Sequence, residues 1–221
     1  MRYFIVFLIS VFSGQLFSLE THSEQTTLYI VRHGQTDWNV QGKLQGHADI
    51  PLNNTGRAEA AGLSERIGKI DFDVCFSSDL QRAVETAQIL STTHPFVIKS
   101  VPTLRERNYG CWEGRLFSEL LEYEKEGRPL LNIESDEEIQ KRIFPLLDQI
   151  VNNYSGATVL IVTHGSVLRS LVAHLLNIDT SSILSIQMKT MATLKLIASN
   201  GKYEIQEMTD IQIHADDRYG N

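Results

Sequence analysis

The sequence has few cysteines, no excess of positive charge and, beyond its first residues, no long hydrophobic run. Only two cysteines, Cys75 and Cys111, occur in 221 residues, so a disulfide framework is excluded and the fold must depend on a buried apolar core. The formal charge is −7, from 20 lysines and arginines against 27 aspartates and glutamates. Because proteins that bind nucleic acid usually carry a basic stripe, we expect no nucleic-acid partner.

The one long apolar stretch belongs to residues 1–18, which resemble a secretory signal peptide. Arg2 supplies a short positive region, Tyr3 to Phe12 are apolar or small, and Ser18 ends a segment suited to cleavage. The stretch is shorter than the roughly 20 residues of a membrane-spanning helix, although an uncleaved anchor stays open as an alternative. We therefore expect export, to the periplasm or out of the cell, and a cytoplasmic location if the leader is not real. Only an exported chain would favour a bridge between its two cysteines.

Residues 19–221 predict a single domain in which strands and helices alternate. No internal repeat or long linker marks a second domain. Such alternation predicts an α/β fold, a three-layer sandwich with a mostly parallel central sheet. An Asn200-Gly201 pair predicts a hairpin turn near the end of the chain. The predicted strands are Leu28–Val31, Phe72–Phe76, Phe96–Ile98, Thr158–Val162, Ile183–Met188, Thr193–Ala198 and Tyr203–Met208.

The predicted helices have polar starts and apolar residues at helical spacing. Ser77 to Asp79 offers capping side chains for the helix that follows the second strand. Ser135 opens a helix whose first turn is acidic, as the helix dipole favours, and Pro145 is a candidate kink. The predicted helices run from Asn54 to Gly68, Leu80 to Leu90, Leu116 to Glu126, Ser135 to Ile150 and Gly165 to Leu175.

Two predicted strands end in His-Gly, and this repetition locates the candidate chemistry. Arg32 to Gly34 follows the first strand, and His164 with Gly165 follows the strand at residues 158–162. The carboxyl ends of parallel strands meet at one edge of an open sheet, where ligands bind. Arg82, in the helix after the second strand, and Glu106, in the loop after the third strand, are expected at the same edge.

These residue types suit the transfer of a phosphoryl group. Such transfer is catalysed mainly by positioning and by stabilising the charge on the phosphoryl oxygens. Arg32 and Arg82 can hold these oxygens with paired donors, and His164 can donate another hydrogen bond. An unprotonated nitrogen of His33 can attack phosphorus, while Glu106 protonates the leaving oxygen and then takes a proton from water. No spacing typical of metal ligands occurs.

An ordered set of motifs resembles the histidine phosphatase superfamily, in its phosphoglycerate mutase-like branch. The resemblance covers the chain from Leu28 to about Leu176. Its motifs are Arg32-His33-Gly34-Gln35-Thr36 with Trp38-Asn39, Gln45-Gly46 through Pro51-Leu52 with Gly56, Ser77 through Ala83 with Glu85 to Ala87, Leu104-Arg105-Glu106 with Tyr109-Gly110 and Trp112-Glu113-Gly114, and Thr163-His164-Gly165.

The resemblance implies a phosphoglycerate mutase-like fold and a role for each residue of the site. His33 is implied as the phosphohistidine intermediate and Glu106 as the proton donor and acceptor, and neither a metal nor another cofactor is implied. The implied catalytic residues are His33, Glu106, Arg32, Arg82 and His164. The expected substrate contacts are Arg32, His33, Gly34, Gln35, Thr36, Asn39, Gln45, Arg82, His164 and Gly165.

Within the family, the chain resembles the phosphatases more than the mutases. Trp112-Glu113-Gly114 is similar to phosphatase members such as α-ribazole phosphatase, and the short passage from Glu126 to Glu134 lacks the insertion of cofactor-dependent mutases. Arg107-Asn108-Tyr109, however, is similar to the mutases. We predict a metal-independent hydrolase acting on a small phosphorylated metabolite. A cofactor-dependent phosphoglycerate mutase is the first alternative, and a catalytically inactive binding protein on the same fold is the second.

Overall fold

The computed structural model describes residues 24–93, 95–129, 131–179 and 185–214, and within these ranges the strands form one mixed sheet. The predicted leader, residues 1–18, lies outside the described residues. The strands are β1 (Thr26–Arg32), β2 (Val74–Ser77), β3 (Ile98–Ser100), β4 (Thr158–Thr163), β5 (Ile186–Ser199) and β6 (Lys202–Ile213). Their order across the sheet is β3-β2-β4-β1-β5-β6.

Strands β1 to β4 are parallel, and β5 and β6 add an antiparallel margin. β1 pairs with β4, with Leu28 opposite Val159, while β2 lies between β4 and β3. β5 runs antiparallel to β1, and β6 runs antiparallel to β5. The parallel strands bring their carboxyl ends to one edge, which is where β1 continues into His33 and β4 into His164.

Helices cover both faces of this sheet and complete the predicted three-layer α/β fold. The helices are α1 (Asp37–Val40), α2 (Asn54–Ile67), α3 (Gln81–Leu90), α4 (Phe117–Lys125), α5 (Asp136–Asn153) and α6 (Gly165–Leu175). Side chains alternate along β1, so Val31 packs into the core under α2 and α3, whereas Ile30 packs into the core under α5 and α6. Short 3₁₀ turns occur at Pro102–Leu104 and Gly110–Trp112.

The predicted cap of α3 is wrong, and tertiary contacts explain why. Ser77–Asp79 does not cap the helix, which begins at Gln81. The Asp79 carboxylate instead accepts two hydrogen bonds from Arg105, at 2.7 and 2.6 Å. Asp49, distant in sequence, accepts the backbone N–H of Gln81 at 2.6 Å. The side chain of Asp79 therefore bonds Arg105 and does not cap α3, and the carboxylate of Asp49 accepts at the start of the helix instead.

Among the predicted strands, the third and the pair predicted within residues 183–198 differ most from those observed. The third strand is Ile98–Ser100 and not Phe96–Ile98. It lies at the edge of the sheet and its last two residues are exposed, so the apolar residues of the sequence do not mark where it begins and ends. The strands predicted at Ile183–Met188 and Thr193–Ala198 are one strand, β5, whose pairing with β6 shifts between Met188 and Thr193. Residues 180–184 lie outside the described part of the chain.

Two other local predictions, the hairpin turn and the capped start of α5, are confirmed. Asn200 and Gly201 both have positive φ, 52° and 70°, as the predicted hairpin turn requires. Ser135 caps α5 in a reciprocal capping box with Glu138, and the helix continues through Pro145. Both cysteines are free thiols. No helix in the described ranges is long and apolar enough to cross a membrane.

Candidate active site

A cavity of about 240 Å³ lies at the carboxyl edge of the parallel strands. A larger cavity, of about 400 Å³, is lined by His47 and Arg142 but by neither of the strand-end histidines, so the smaller one is the candidate site. Its wall contains four cationic side chains and one carboxylate, which favours an anionic ligand. Its lining residues are Arg32, His33, Trp38, Asn39, Gly42, Lys43, Leu44, Gln45, Arg82, Glu106, Tyr109, Phe117, Gly165, Ser166 and Arg169.

His33 is buried directly after β1, with 2% of its surface exposed. Its Nδ1 lies 2.7 Å from the carbonyl oxygen of Gly34. A carbonyl can only accept, so Nδ1 carries the proton and Nε2 has a free lone pair. Burial, followed by the positive charges of Arg82 and Arg32, lowers the pKa of His33 well below its ordinary value. The imidazole therefore stays neutral and nucleophilic at neutral and mildly acidic pH.

His164 is fully buried after β4, beside His33, with the two ring centroids 5.1 Å apart. Its Nδ1 accepts a hydrogen bond from Nε of Arg82 at 3.2 Å, so its Nε2 carries the proton. Burial and then the charge of Arg82 lower the pKa of His164 well below its ordinary value. Nε2 is buried and has no hydrogen-bond partner within the described ranges. An unsatisfied buried donor costs roughly 1–3 kcal/mol, which an anionic oxygen would offset.

Arg82 joins His164 to the loop that follows α1. Its Nη1 and Nη2 donate to the carbonyl oxygens of Ala48 and Gly46, each at 2.8 Å. Burial lowers the pKa of Arg82 to about 10, so the guanidinium stays charged at neutral pH. Together with the bond to His164, these contacts occupy three of its five N–H groups. The remaining donors are those available for a ligand.

Arg32 lies at the end of β1 and is held by the irregular part of β5. Its Nη1 donates to the carbonyl oxygen of Met188 at 2.8 Å, while its Nε is buried without a partner among the described residues. Burial is the main reason that the pKa of Arg32 is lowered. The guanidinium lies close to Gly165, where a Cβ would meet Arg32 Cζ at 3.4 Å, an ordinary van der Waals contact. Arg32 thus packs against the start of α6 with a donor unused.

Glu106 reaches the same cavity from the loop between the two 3₁₀ turns. Its Oε1 accepts the backbone N–H groups of Arg107 at 2.7 Å and Ser166 at 3.1 Å. The second of these lies in the first turn of α6, where the helix dipole favours a negative charge. The hydroxyl of Tyr109 bonds the Ser166 hydroxyl at 3.0 Å, and burial followed by the charge of Glu106 raises the pKa of Tyr109.

The structure brings most of the predicted site residues together. Those that line the cavity are Arg32, His33, Asn39, Gln45, Arg82, Glu106 and Gly165, and His164 stands against His33 and Arg82. The Oε1 of Gln45 is buried without a partner within the described residues. An amide can reorient to offer its N–H₂ group to an anion, so Gln45 has capacity for a ligand.

Besides His164, which lies against His33 and Arg82, three predicted substrate contacts do not line the cavity: Gly34, Gln35 and Thr36. Their side chains and amides stabilise the loop after β1 instead. The side chain of Gln35 accepts a hydrogen bond from Asn53 at 3.1 Å. The backbone N–H groups of the three residues donate, in order, to Thr86 Oγ1 at 3.2 Å, Glu59 Oε2 at 2.9 Å and Asn39 Oδ1 at 3.0 Å.

Sequence reasoning missed two cations of the cavity wall, Lys43 and Arg169. Arg169 lies in α6, the helix that begins at the site, and its Nε donates to the carbonyl oxygen of Ile186 at 2.9 Å. The Lys43 ammonium lies 5.8 Å from the ring centroid of Trp38. Neither side chain has a carboxylate within ion-pair distance in the described part of the chain. The position of Arg169 on the helix after His-Gly was the available sequence signal.

Within the described ranges, no three histidine, cysteine, aspartate or glutamate side chains are grouped so that they could hold a metal ion.

Comparison with known proteins gives consistent similarities. The family model described as "Histidine phosphatase superfamily (branch 1)" matches residues 28–211. A "Metal-independent phosphoserine phosphatase" of Arabidopsis thaliana is 37% identical over 167 residues, which cover 69% of this chain and 70% of that protein. An "Uncharacterized phosphatase PhoE" of Bacillus subtilis is 36% identical over 151 residues, 68% of this chain and 77% of that one.

A solved structure extends the similarity to three dimensions. The phosphoserine phosphatase of Entamoeba histolytica in complex with 3-phosphoglyceric acid superposes with a TM-score of 0.73 at 28% identity, covering 83% of this chain and 96% of that one. The motifs, the sheet topology and the family match lead to one conclusion. The chain belongs to branch 1 of the histidine phosphatase superfamily.

Proposed function

We propose that this chain hydrolyses a small phosphomonoester through a phosphohistidine on His33, with no metal. One observation carries the proposal: two buried donors without partners within the described residues, Nε of Arg32 and Nε2 of His164, stand beside a histidine whose Nε2 is unprotonated. Burial of unpaired donors is unfavourable unless a ligand completes them. A phosphoryl group, with several anionic oxygens, supplies the acceptors that they lack.

The first step forms the bond from His33 Nε2 to phosphorus and breaks the bond from phosphorus to the leaving oxygen. Glu106 gives its proton to that oxygen, so the product departs as a neutral alcohol. Arg32, Arg82 and His164 hold the three non-reacting oxygens as charge redistributes. His33 needs no base to remove a proton first, because its Nε2 is already unprotonated.

The second step returns the enzyme to its starting state. Water attacks phosphorus, and the Glu106 carboxylate takes a proton from that water. The bond from Nε2 to phosphorus breaks, and its electron pair returns to the imidazole of His33. Inorganic phosphate then leaves the cavity.

The proposed substrate also carries a carboxylate. Lys43 and Arg169 add two positive charges to the cavity wall beyond those of Arg32 and Arg82, and neither is ion-paired to a carboxylate in the described part of the chain. The names of similar proteins support this choice, since one is a phosphoserine phosphatase and another was solved with 3-phosphoglyceric acid. Both compounds bear a phosphate and a carboxylate.

The experiment compares phosphate release from O-phosphoserine and 3-phosphoglycerate with release from glycerol 3-phosphate, which lacks the carboxylate. Lys43→Gln and Arg169→Gln are expected to lower kcat/KM for the first two by roughly 10-fold or more, and to change the third by less than about threefold. Lys141→Gln, at an exposed lysine of α5, is the control. Equal losses on all three substrates would contradict the carboxylate site.

The same assay separates the phosphatase from the mutase. Addition of a bisphosphoglycerate primer to 3-phosphoglycerate is expected to leave phosphate release as the main reaction. Conversion to 2-phosphoglycerate with little release would instead establish the mutase. Absence of both activities on every substrate would favour an inactive binding protein.

Export is proposed from residues 1–18 alone. If the leader is real, the protein isolated from its native cells begins after Ser18 and is found outside the cytoplasm. Intact mass and N-terminal sequencing of that protein test the proposal. A cytoplasmic protein that retains these residues would contradict it.

A further inference from the structure

Glu106 lies in a loop, and one guanidinium of a neighbouring helix holds the backbone of that loop. Arg142, in α5, donates from Nη1 to the carbonyl oxygen of Thr103. Its Nη2 donates to the carbonyl oxygen of Arg105 at 2.9 Å and reaches that of Glu106 at 3.4 Å. Three carbonyl groups on the approach to the proposed acid thus converge on a single side chain.

Arg142 is fixed in turn by Glu134. Its Nε donates to Glu134 Oε1 at 2.6 Å, and its Nη2 donates to Oε2 at 3.1 Å. The two side chains are only 22% and 15% exposed, so solvent weakens this two-point ion pair much less than a surface pair. Glu134 Oε2 also accepts the backbone N–H of Asn108 at 3.1 Å. The pair therefore bonds the loop on both sides of Glu106.

Within the described residues, the carboxylate of Glu106 is hydrogen-bonded by backbone N–H groups and by no side chain. The backbone N–H groups of Arg107 and Ser166 donate to it. The position of the carboxyl group therefore depends on where the loop backbone is held. Proton transfer requires the acid within hydrogen-bond reach of the leaving oxygen, and a displacement of about 1 Å can cost roughly 100-fold in rate.

We propose that Arg142 and Glu134 form a clasp that positions Glu106 for proton transfer. They are positioning residues: neither lines the candidate active-site cavity, and both act through the backbone of residues 103–108. This inference rests on the proposed function, because it assigns a role toward the acid named there.

The test uses two substrates that need the acid to different degrees. Glycerol 3-phosphate has a poor leaving group that must be protonated, whereas p-nitrophenolate departs readily without a proton. Arg142→Met is expected to lower kcat/KM for glycerol 3-phosphate by roughly 10- to 100-fold, and for p-nitrophenyl phosphate by less than about threefold. Both substrates report on the same folded molecules, so partial unfolding lowers both values equally and leaves their ratio unchanged.

Two further variants sharpen the test. Arg142→Lys keeps the charge but not the planar fork, so most of the selective loss is expected to remain. Lys141→Gln removes the neighbouring exposed cation of α5 and is expected to leave the ratio at its wild-type value. A wild-type ratio in both Arg142 variants would overturn the proposal.

A double variant connects the effect to the acid. Glu106→Gln alone is expected to reproduce the selective loss, and Arg142→Met added to it is expected to lower the ratio no further. Additive losses would overturn the clasp while leaving the acid role intact. A Glu106→Gln enzyme with no selective loss would instead overturn the acid role in the proposed function, whatever Arg142 does.

Discussion

At the scale of single residues, the burial of His33 among positive charges determines how the site responds to pH. The pKa of His33 is lowered well below its ordinary value by burial, Arg82 and Arg32. We expect kcat/KM to stay near its value at neutral pH as pH falls below about 6.5, the ordinary pKa of histidine. The measurement is a pH profile with p-nitrophenyl phosphate, corrected for ionisation of the substrate. An acidic limb at or above about 6.5 that belongs to the free enzyme would contradict this expectation.

The same two histidines connect stability to pH. His33 and His164 are held neutral in the folded protein, while the unfolded chain binds protons on both below about pH 6.5. Stability is therefore greatest above that pH. As pH falls toward the pKa of each histidine in the folded protein, that histidine lowers the free energy of unfolding by about 1.4 kcal/mol per pH unit. Urea unfolding at about pH 7 and about pH 5 measures the slope, which is how steeply the free energy of unfolding changes with pH. His33→Asn should flatten it, with the exposed His214→Asn as control, and an unchanged slope would count against the account.

At the scale of elements, the start of α2 packs directly against the loop that carries His33. A Cβ on Gly56 would lie 2.1 Å from the backbone oxygen of Gln35, whereas a Cβ on Gly62 in the same helix would meet nothing within 4 Å. Gly56→Ala is therefore expected to cost roughly 1–3 kcal/mol and to lower kcat, because the loop must shift. Gly62→Ala should stabilise by up to about 1 kcal/mol and leave kcat unchanged. Urea unfolding and kcat are measured for both variants. Equal changes in the two variants would contradict this packing.

The sequence predicted those elements whose signal is local or fully buried. β4 is an unbroken apolar run because both of its faces are covered, and the Asn200-Gly201 turn depends only on backbone conformation. The start of α3 could not be predicted, since Asp79 is taken by Arg105 and Asp49 supplies the cap. Such distant partners leave no periodic signal along the chain.

The candidate site was predictable where motifs lie at strand ends and unpredictable where loops fold back. His33 and His164 follow directly from parallel strands, so their meeting was expected. Gln35 and Thr36 are implied as substrate contacts by the family motif that begins at Arg32, but their backbone N–H groups donate to other residues of the protein. The contacts of Arg142 depend on how α5 packs against a loop some 36 residues earlier, which no local pattern records.

At the scale of the whole molecule, the sheet pairs strands from both ends of the described chain. β1, near the start, pairs with β5, near the end, and with β4. A chain that begins at residue 19 is therefore expected to fold as one cooperative unit and to keep full activity. Unfolding followed by circular dichroism and by tryptophan fluorescence should give coincident transitions. Two separate transitions would contradict the single domain.

The central claim is that His33 carries the phosphoryl group during turnover without a metal. The most direct measurement mixes the enzyme with p-nitrophenyl phosphate in EDTA, stops the reaction with alkaline denaturant and maps the phosphorylated peptide by mass spectrometry. The account predicts one phosphoryl group on His33 that forms and decays as fast as turnover, and none in His33→Asn. Turnover that continues in EDTA with no label on His33, or turnover abolished by EDTA, would contradict it.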